Sequence, residues 1–216
     1  MVVTDRPVGY HLPMRPSRTR RKDARPGEIL AAALSLFAER GYAATRLDDV
    51  AHRAGIAKGT IYLYFPTKED LFRAVVRQDL LPNLAALEAL AAAHRGSAAA
   101  LLHQLVTAMA ARMDTEIAAI PRLVLSESGN LPTLARFYAE EVVARGLALI
   151  GGVIARGVAA GEFRDVPPAV VAPLVVAPLL MAMLWRGSIG RHTPPTVDPA
   201  ALLETHMDLL LRGLAP

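Results

Sequence analysis

The chain has 216 residues, 53% of them hydrophobic, a net charge of +4 and no cysteine. That hydrophobic share is enough for a sizeable core and sets aside a disordered chain. The length allows one or two domains, and the missing cysteines exclude disulfides, thiolate zinc sites and a cysteine nucleophile.

The positive charge is unevenly placed. Residues 1–25 carry seven basic groups (Arg6, Arg15, Arg18, Arg20, Arg21, Lys22, Arg25) against Asp5 and Asp23. Residues 26–80 carry seven of each sign, and residues 81–216 carry ten arginines against eleven acids. A basic arm beside a folded unit is the footprint of nucleic-acid binding, and equally that of a solvated tail; charge alone does not choose. The arm also lacks the apolar run of a secretory signal, so the expected location is the cytoplasm.

In chain order, residues 1–25 show no apolar periodicity and read as a flexible arm. Pro26 suits the first turn of a helix, and Ile29, Leu30, Ala33, Leu34 and Phe37 form one amphipathic face of a helix over 26–40. Gly41 ends it, as the residue that tolerates a left-handed backbone after a helix. Thr45-Arg46-Leu47-Asp48 reads as a capping box opening a second helix to about Ala54. Gly55 breaks that helix, and a third runs from Ala57 to about Leu63. Pro66 and Thr67 interrupt, and Lys68 opens a fourth helix with Leu71, Phe72, Val75, Val76 and Leu80 inward. Two helices joined by a short glycine-containing turn make a helix-turn-helix, here at about 46–65. Beyond Pro82 the pattern predicts helices at 83–94, 97–118, 121–128, 131–160 (with a break near Gly151-Gly152), 167–187 and 199–213. Nothing alternates as a strand would. The expected class is all-α: an N-terminal three-helix helix-turn-helix domain within 26–80, then a helical domain over 81–216.

The front of the third helix carries the chemistry. A helix entering the major groove needs short or flexible polar side chains there and little bulk near the phosphates. Lys58 reaches a guanine edge or a phosphate, Gly59 removes a side chain at the closest approach, and Thr60 offers a hydroxyl and a methyl. Tyr62 and Tyr64 are either backbone-contacting phenols or core aromatics. Ile61 and Phe65 face the first helix, and His52 is expected to be exposed.

The run GYAATRLDDVAHRAGIAKGTIYLYFPTKEDLF, residues 41–72, resembles the DNA-binding domain of TetR-family regulators, strongly over residues 26–75. The resemblance implies a homodimeric regulator of double-stranded operator DNA, a repressor released by a small, largely apolar ligand. A ligand-independent regulator or an activator with the same DNA domain is the alternative. It further implies that Lys68 and Thr45 contact phosphates. Two positions depart from the family pattern. Ala57 stands where serine is common, which removes a cap, and Arg46 stands where a small hydroxyl is common, as a substitute phosphate contact or a surface arginine.

The resemblance also implies a ligand pocket in the C-terminal domain and dimerisation through the last two long helices. Met109 and Met113, one turn apart, and Met181 near Trp185 suit an adaptable apolar cavity or gap-filling core packing. With Arg112 and Phe137 they are the candidate pocket residues. Leu202, Leu203, His206, Leu209 and Leu210 form one apolar stripe. Val166 to Trp185 runs uncharged for twenty residues but contains four prolines, reading as a helix between core and subunit interface rather than a bilayer span.

No G-x-S-x-G, H-E-x-x-H or phosphate-binding loop is present, and the six histidines are scattered, so no enzyme, cofactor or metal site is expected. Ser126-Glu127-Ser128 with Asn130 reads as a capped helix end, and Glu140-Glu141 as a solvated pair.

Overall fold

The computed structural model describes residues 18–113, 115–187, 190, 192 and 198–216. The described residues are helices and turns: α1 (Arg18–Ala44), α2 (Leu47–Arg53), α3 (Lys58–Tyr64), α4 (Lys68–Val75), α5 (Leu81–Ala93), α6 (Ala98–Ala110), α7 (Ala119–Glu127), α8 (Pro132–Tyr138), α9 (Ala144–Ala159), α10 (Pro168–Gly187) and α11 (Pro199–Leu214). One π-turn, Val76–Leu80, joins α4 to α5, and another, Ala139–Val143, joins α8 to α9.

Several helix bounds differ from expectation. α1 begins at Arg18, so residues 18–25 of the basic arm are helical and Pro26 lies inside the helix rather than in its first turn. That segment is mostly Arg, Lys and Ala, good helix formers whose propensity acts without any apolar stripe. The earlier part of the arm lies outside the described residues. Gly41 does break α1, with φ +80 and ψ 172, a conformation in which any side chain is strained. The single helix expected at 97–118 stops at Ala110. Thr115 donates from its hydroxyl to the Arg112 carbonyl and from its amide to the same oxygen, and such local bonds compete with a helix. The break expected near Gly151-Gly152 is absent: α9 runs through both and packs against α6 and α10. Tertiary packing there outweighs the weak helix propensity of glycine.

Two cores form. The first gathers α1 to α4, with Phe37, Tyr42 and Phe72 as an aromatic trio whose centroids lie 5.4–5.6 Å apart. Helices α7 and α8 complete it with Ile120, Leu123, Val124, Leu134 and Phe137. The packing boundary therefore does not follow the chain boundary near residue 80. The second core joins α5, α6, α9, α10 and α11 around Leu101, Leu102, Leu105, Ile154 and Val175.

By length and composition, Pro132–Ala159 and Pro168–Arg186 are long and apolar enough to cross a membrane. In this fold α10 packs against α6, α7, α9 and α11.

Candidate nucleic-acid interface and cavity

α2 and α3 meet through a turn at Gly55, whose φ of +64 suits glycine. Ile61 is fully buried and Phe65 nearly so, which clamps α3 onto the first core. Those anchors fix the opposite face of α3 outward. Lys58, Gly59, Tyr62, Leu63 and Tyr64 are exposed and Thr60 is half-buried. Tyr62 and Tyr64, at 42% and 36% exposure, are surface phenols and not core aromatics. A Cβ on Gly59 would meet nothing within 4 Å, so the protein's own packing does not demand glycine there. Ala57 precedes α3 without a side-chain cap, as its departure from serine implied.

Leu63 was not singled out from the sequence, yet it is 84% exposed on α3. Its signal was available: it lies one turn after Gly59 on the same face. An apolar side chain there is suited to a thymine methyl.

One carboxylate organises this face. Asp48, in the first turn of α2, pairs with the Lys58 ammonium at 2.8 Å and accepts a 3.2 Å hydrogen bond from the Tyr62 hydroxyl. The Lys58 hydrogen bond is the chief cause holding the Asp48 carboxyl below its ordinary range. The reciprocal bond raises Lys58. Asp49 turns the other way, 3.7 Å from Arg40.

Two expectations are corrected here. Thr45 does not cap α2; Arg46 occupies that position, without a side-chain bond. The Thr45 side chain is only 1% exposed, and its hydroxyl donates to the Gly41 carbonyl at 2.7 Å. It closes the turn after α1, so the phosphate contact expected of its side chain is withdrawn. Lys68, at the start of α4, is turned inward. Its ammonium donates to the Tyr42 carbonyl at 2.7 Å and the Ala43 carbonyl at 3.2 Å, and lies 4.4 Å from the Tyr42 ring centre. Burial lowers its pKa from the usual lysine value. Two of its three protons are committed to the end of α1. The cap that the sequence reading missed belongs to Thr67, whose oxygen accepts from the Asp70 amide at 3.0 Å. Arg46 and His52 are exposed.

In the C-terminal half, a cavity of about 260 Å³ opens between α6, α10 and α11. Thr107, Met113, Leu179, Arg186, Leu203 and His206 are among its lining residues. Of the candidate pocket residues, only Met113 lines it. Met109 packs half-buried against the second core. Arg112, in the turn after α6, donates to the Ala108 carbonyl of that helix. Phe137 is corrected to the first core, where Arg73 and Arg77 lie over its ring at 5.4 and 5.2 Å. Met181 and Trp185 point outward, at 61% and 43% exposure. They miss the cavity because Leu179 and Met183, on the other face of α10, take the inward positions.

The α11 stripe also divides. Met207 and Leu214 are buried, Leu203, His206 and Leu210 are half-buried, and Leu202 and Leu209 face out. His206 lies 3.0 Å from the Val175 carbonyl of α10. The helix end at Ser126 and Ser128 is as expected, each hydroxyl bonding a carbonyl three residues back. Among the described residues no group of acids and histidines is arranged to hold a metal.

Comparison with known proteins bears on the family and the fold. Residues 29–75 match the family model for bacterial regulatory proteins, tetR family, and residues 92–196 match that of the tetracyclin repressor-like C-terminal domain. The HTH-type transcriptional repressor KstR2 of Rhodococcus jostii (strain RHA1) is 30% identical over 196 residues, covering 90% of this chain and 93% of that protein. The HTH-type transcriptional regulator RutR of Escherichia coli (strain K12) is 44% identical over 72 residues, 33% of this chain. That match spans only 34% of RutR. Among solved structures, the transcriptional regulator FadR from Bacillus subtilis, in complex with stearoyl-CoA, superimposes with a TM-score of 0.74 at 23% identity. It covers 87% of this chain and 98% of its own.

Proposed function

The chain belongs to the TetR family of bacterial transcriptional regulators, and we propose that it works in the cytoplasm as a homodimeric repressor that leaves its operator when a small, largely apolar molecule binds the C-terminal domain. The observation that carries the DNA-binding part is the outward face of α3. Lys58, Tyr62, Leu63 and Tyr64 are exposed and Thr60 is half-buried beside them, on a helix that Ile61 and Phe65 anchor from behind. Lys58 supplies a donor for guanine or phosphate, Thr60 and Leu63 supply apolar contacts for thymine, and the tyrosine hydroxyls reach the sugar-phosphate backbone. Gly59 keeps the approach clear. Arg46, exposed at the start of α2, adds a phosphate contact.

Dimerisation is supported by the outer faces of α10 and α11. Val170, Leu174, Met181 and Trp185 are all exposed. At 3.6 residues per turn they fall within about 60° of arc, a single stripe. Leu202 and Leu209 on α11 continue it, at 36% and 66% exposure. Six large apolar side chains on adjoining helices exceed what a monomer leaves to water. A two-fold pairing of this face buries it and sets the distance between two recognition helices.

The cavity supports the sensing part. It is bounded by the same α10 and α11, and Leu202 belongs both to its lining and to the exposed face. A molecule that fits better in one arrangement of these helices biases the spacing of the DNA heads. Moving the population from nearly all competent to nearly none requires about 5.5 kcal/mol of differential affinity, which two ligands per dimer supply in halves. KstR2 is named a repressor and the FadR structure holds an acyl-CoA, which is consistent with this assignment.

The test is selection of a preferred site from a random duplex pool, followed by binding of Lys58→Ala and Tyr62→Ala to that site. Each variant is expected to lose about tenfold to a hundredfold in affinity, the worth of a base contact, with its melting temperature unchanged. Two variants that bind as tightly as the parent at equal salt would refute the reading surface.

A further inference from the structure

Asp48 is an anomaly on a surface that meets polyphosphate. A carboxylate there repels any duplex, whatever its sequence, yet this one sits in the middle of the reading face. Its two oxygens are divided between the two side chains best placed to touch DNA: Oδ2 faces the Lys58 ammonium at 2.8 Å, and Oδ1 accepts from the Tyr62 hydroxyl at 3.2 Å. Lys58 and Tyr62 are one helical turn apart on α3, so a single acid on α2 spans both. The neighbouring Asp49 faces Arg40 and does not compete for them.

We propose that Asp48 sets the sequence discrimination of this regulator by holding Lys58 and Tyr62 as a fixed pair, so that both meet base edges in one geometry instead of following phosphates. The inference rests on the assignment of α3 as the DNA-reading helix. The physical reason lies in what an unrestrained lysine does. Its ammonium is a point charge on a flexible four-carbon stem, and it binds the nearest phosphate on any sequence, releasing counterions as it does so. Lys58 is well exposed, with 70% of its side chain open to water, and among the described residues Asp48 is its ion-pair partner. Paired with the carboxylate, its charge is largely compensated and its pull on phosphate falls. What survives is directional donation to a base acceptor, which depends on sequence. The acid's own repulsion lowers affinity for all duplexes alike. Only the restraint of Lys58 reduces binding to random DNA more than binding to the correct site; the repulsion cancels in the ratio of the two. Asp48 is thus a positioning residue, acting through Lys58 and Tyr62.

The experiment uses the full chain and a site selected by it from a random duplex pool. Affinities for that site and for a shuffled duplex are measured between 50 and 200 mM salt for the parent, Asp48→Asn, Asp48→Glu, Lys58→Ala and the Asp48→Asn/Lys58→Ala pair. Asparagine keeps an acceptor for Tyr62 but releases Lys58. Asp48→Asn is expected to bind the shuffled duplex more tightly, with a salt slope steeper by about 0.9, one added phosphate contact. The ratio of specific to shuffled affinity should fall about tenfold, within the range of one base contact. Asp48→Glu should restore much of that ratio. In the Lys58→Ala background, Asp48→Asn should leave the ratio unchanged, because the restrained group is gone; such non-additivity is the mark of coupled residues. A ratio that Asp48→Asn does not alter overturns the proposal. So does an equal effect with and without Lys58, which would leave only the loss of a repelling charge. A selected site that switches at one base pair instead of relaxing would make Asp48 itself a base reader and also overturns it. A parent that selects no site at all would instead remove the DNA-reading assignment beneath it.

Discussion

The two cores treat their outer faces in opposite ways. Around the first, each helix turns its apolar side in and leaves the DNA-facing surface to Lys58, Thr60, Tyr62 and Tyr64, with Leu63 as the apolar exception. Around the second, α10 is apolar on both sides, with Val175, Leu179 and Met183 inward and Val170, Leu174, Met181 and Trp185 outward, and α11 adds the exposed Leu202 and Leu209. A face that reads DNA must stay hydrated until the duplex arrives, whereas a face that pairs subunits gains by leaving water. The first core is complete within one chain. The second leaves Val170, Leu174, Met181 and Trp185 in water, the face assigned to the proposed dimer.

The largest expected effect attacks that contrast directly. Leu209→Glu places a charge on the outward stripe, where the dimer would desolvate it without a counter-ion. Its side chain is 66% exposed, so the subunit itself should keep its fold. The variant should sediment as a monomer at micromolar concentration and lose at least about a hundredfold in affinity for a two-half-site duplex, because the two contacts are no longer linked. A dimeric variant with full DNA affinity would place the interface elsewhere.

An intermediate effect is expected for Lys68→Ala, which tests whether the first core is closed by this ammonium. Hydrogen bonds from a charged donor to the Tyr42 and Ala43 carbonyls are worth about 1.5–3 kcal/mol; partial exposure puts the expected loss near the lower end. Denaturant unfolding should register that loss. If stability is untouched while the salt slope of DNA binding drops by about 0.9, Lys68 works on phosphate and not on the end of α1.

The smallest effect lies at the π-turn between α4 and α5. Asp79 is partly buried there, its Oδ2 has no hydrogen-bond partner, and burial raises its carboxyl pKa above the usual value despite a bond from Gln78. A carboxyl raised in the folded state opposes folding when ionised. That penalty is absent below about pH 4, the ordinary aspartate range, and grows as pH climbs through the raised value. Asp79→Asn should therefore lift the melting temperature at about pH 7 and leave it nearly unchanged at about pH 3. A lift of equal size at both would trace the effect to packing.

Much of the reading surface was legible in residue order alone. Gly41 and Gly55 mark positive-φ turns, Ile61 and Phe65 are spaced to anchor α3, and Lys58 and Tyr62 share its outer face. Such features are local, decided by backbone sterics and a 3.6-residue repeat, and local features survive without knowledge of the rest of the chain. The start of α1 at Arg18 shows the limit of reading apolar periodicity without propensity, since a polar run of good helix formers extends a helix with nothing to bury.

Other assignments needed the third dimension. Thr45 has the residue type and position of a phosphate contact, but the turn after α1 brings the Gly41 carbonyl within its reach, and a hydroxyl bonds the nearest acceptor. Phe137 lies 57 positions after Leu80, yet it fills the first core because α7 and α8 fold back against α1 and α4. Methionines at 109, 113 and 181 are chemically alike in the sequence, but only Met113 reaches the cavity, since which side of a doubly apolar helix faces inward depends on what packs against it. Helix identity, turn chemistry and the charge of the reading head were thus determined by residue order. The direction each ambiguous side chain takes was decided by tertiary packing, because burial and hydrogen-bond partners come from segments distant in the chain.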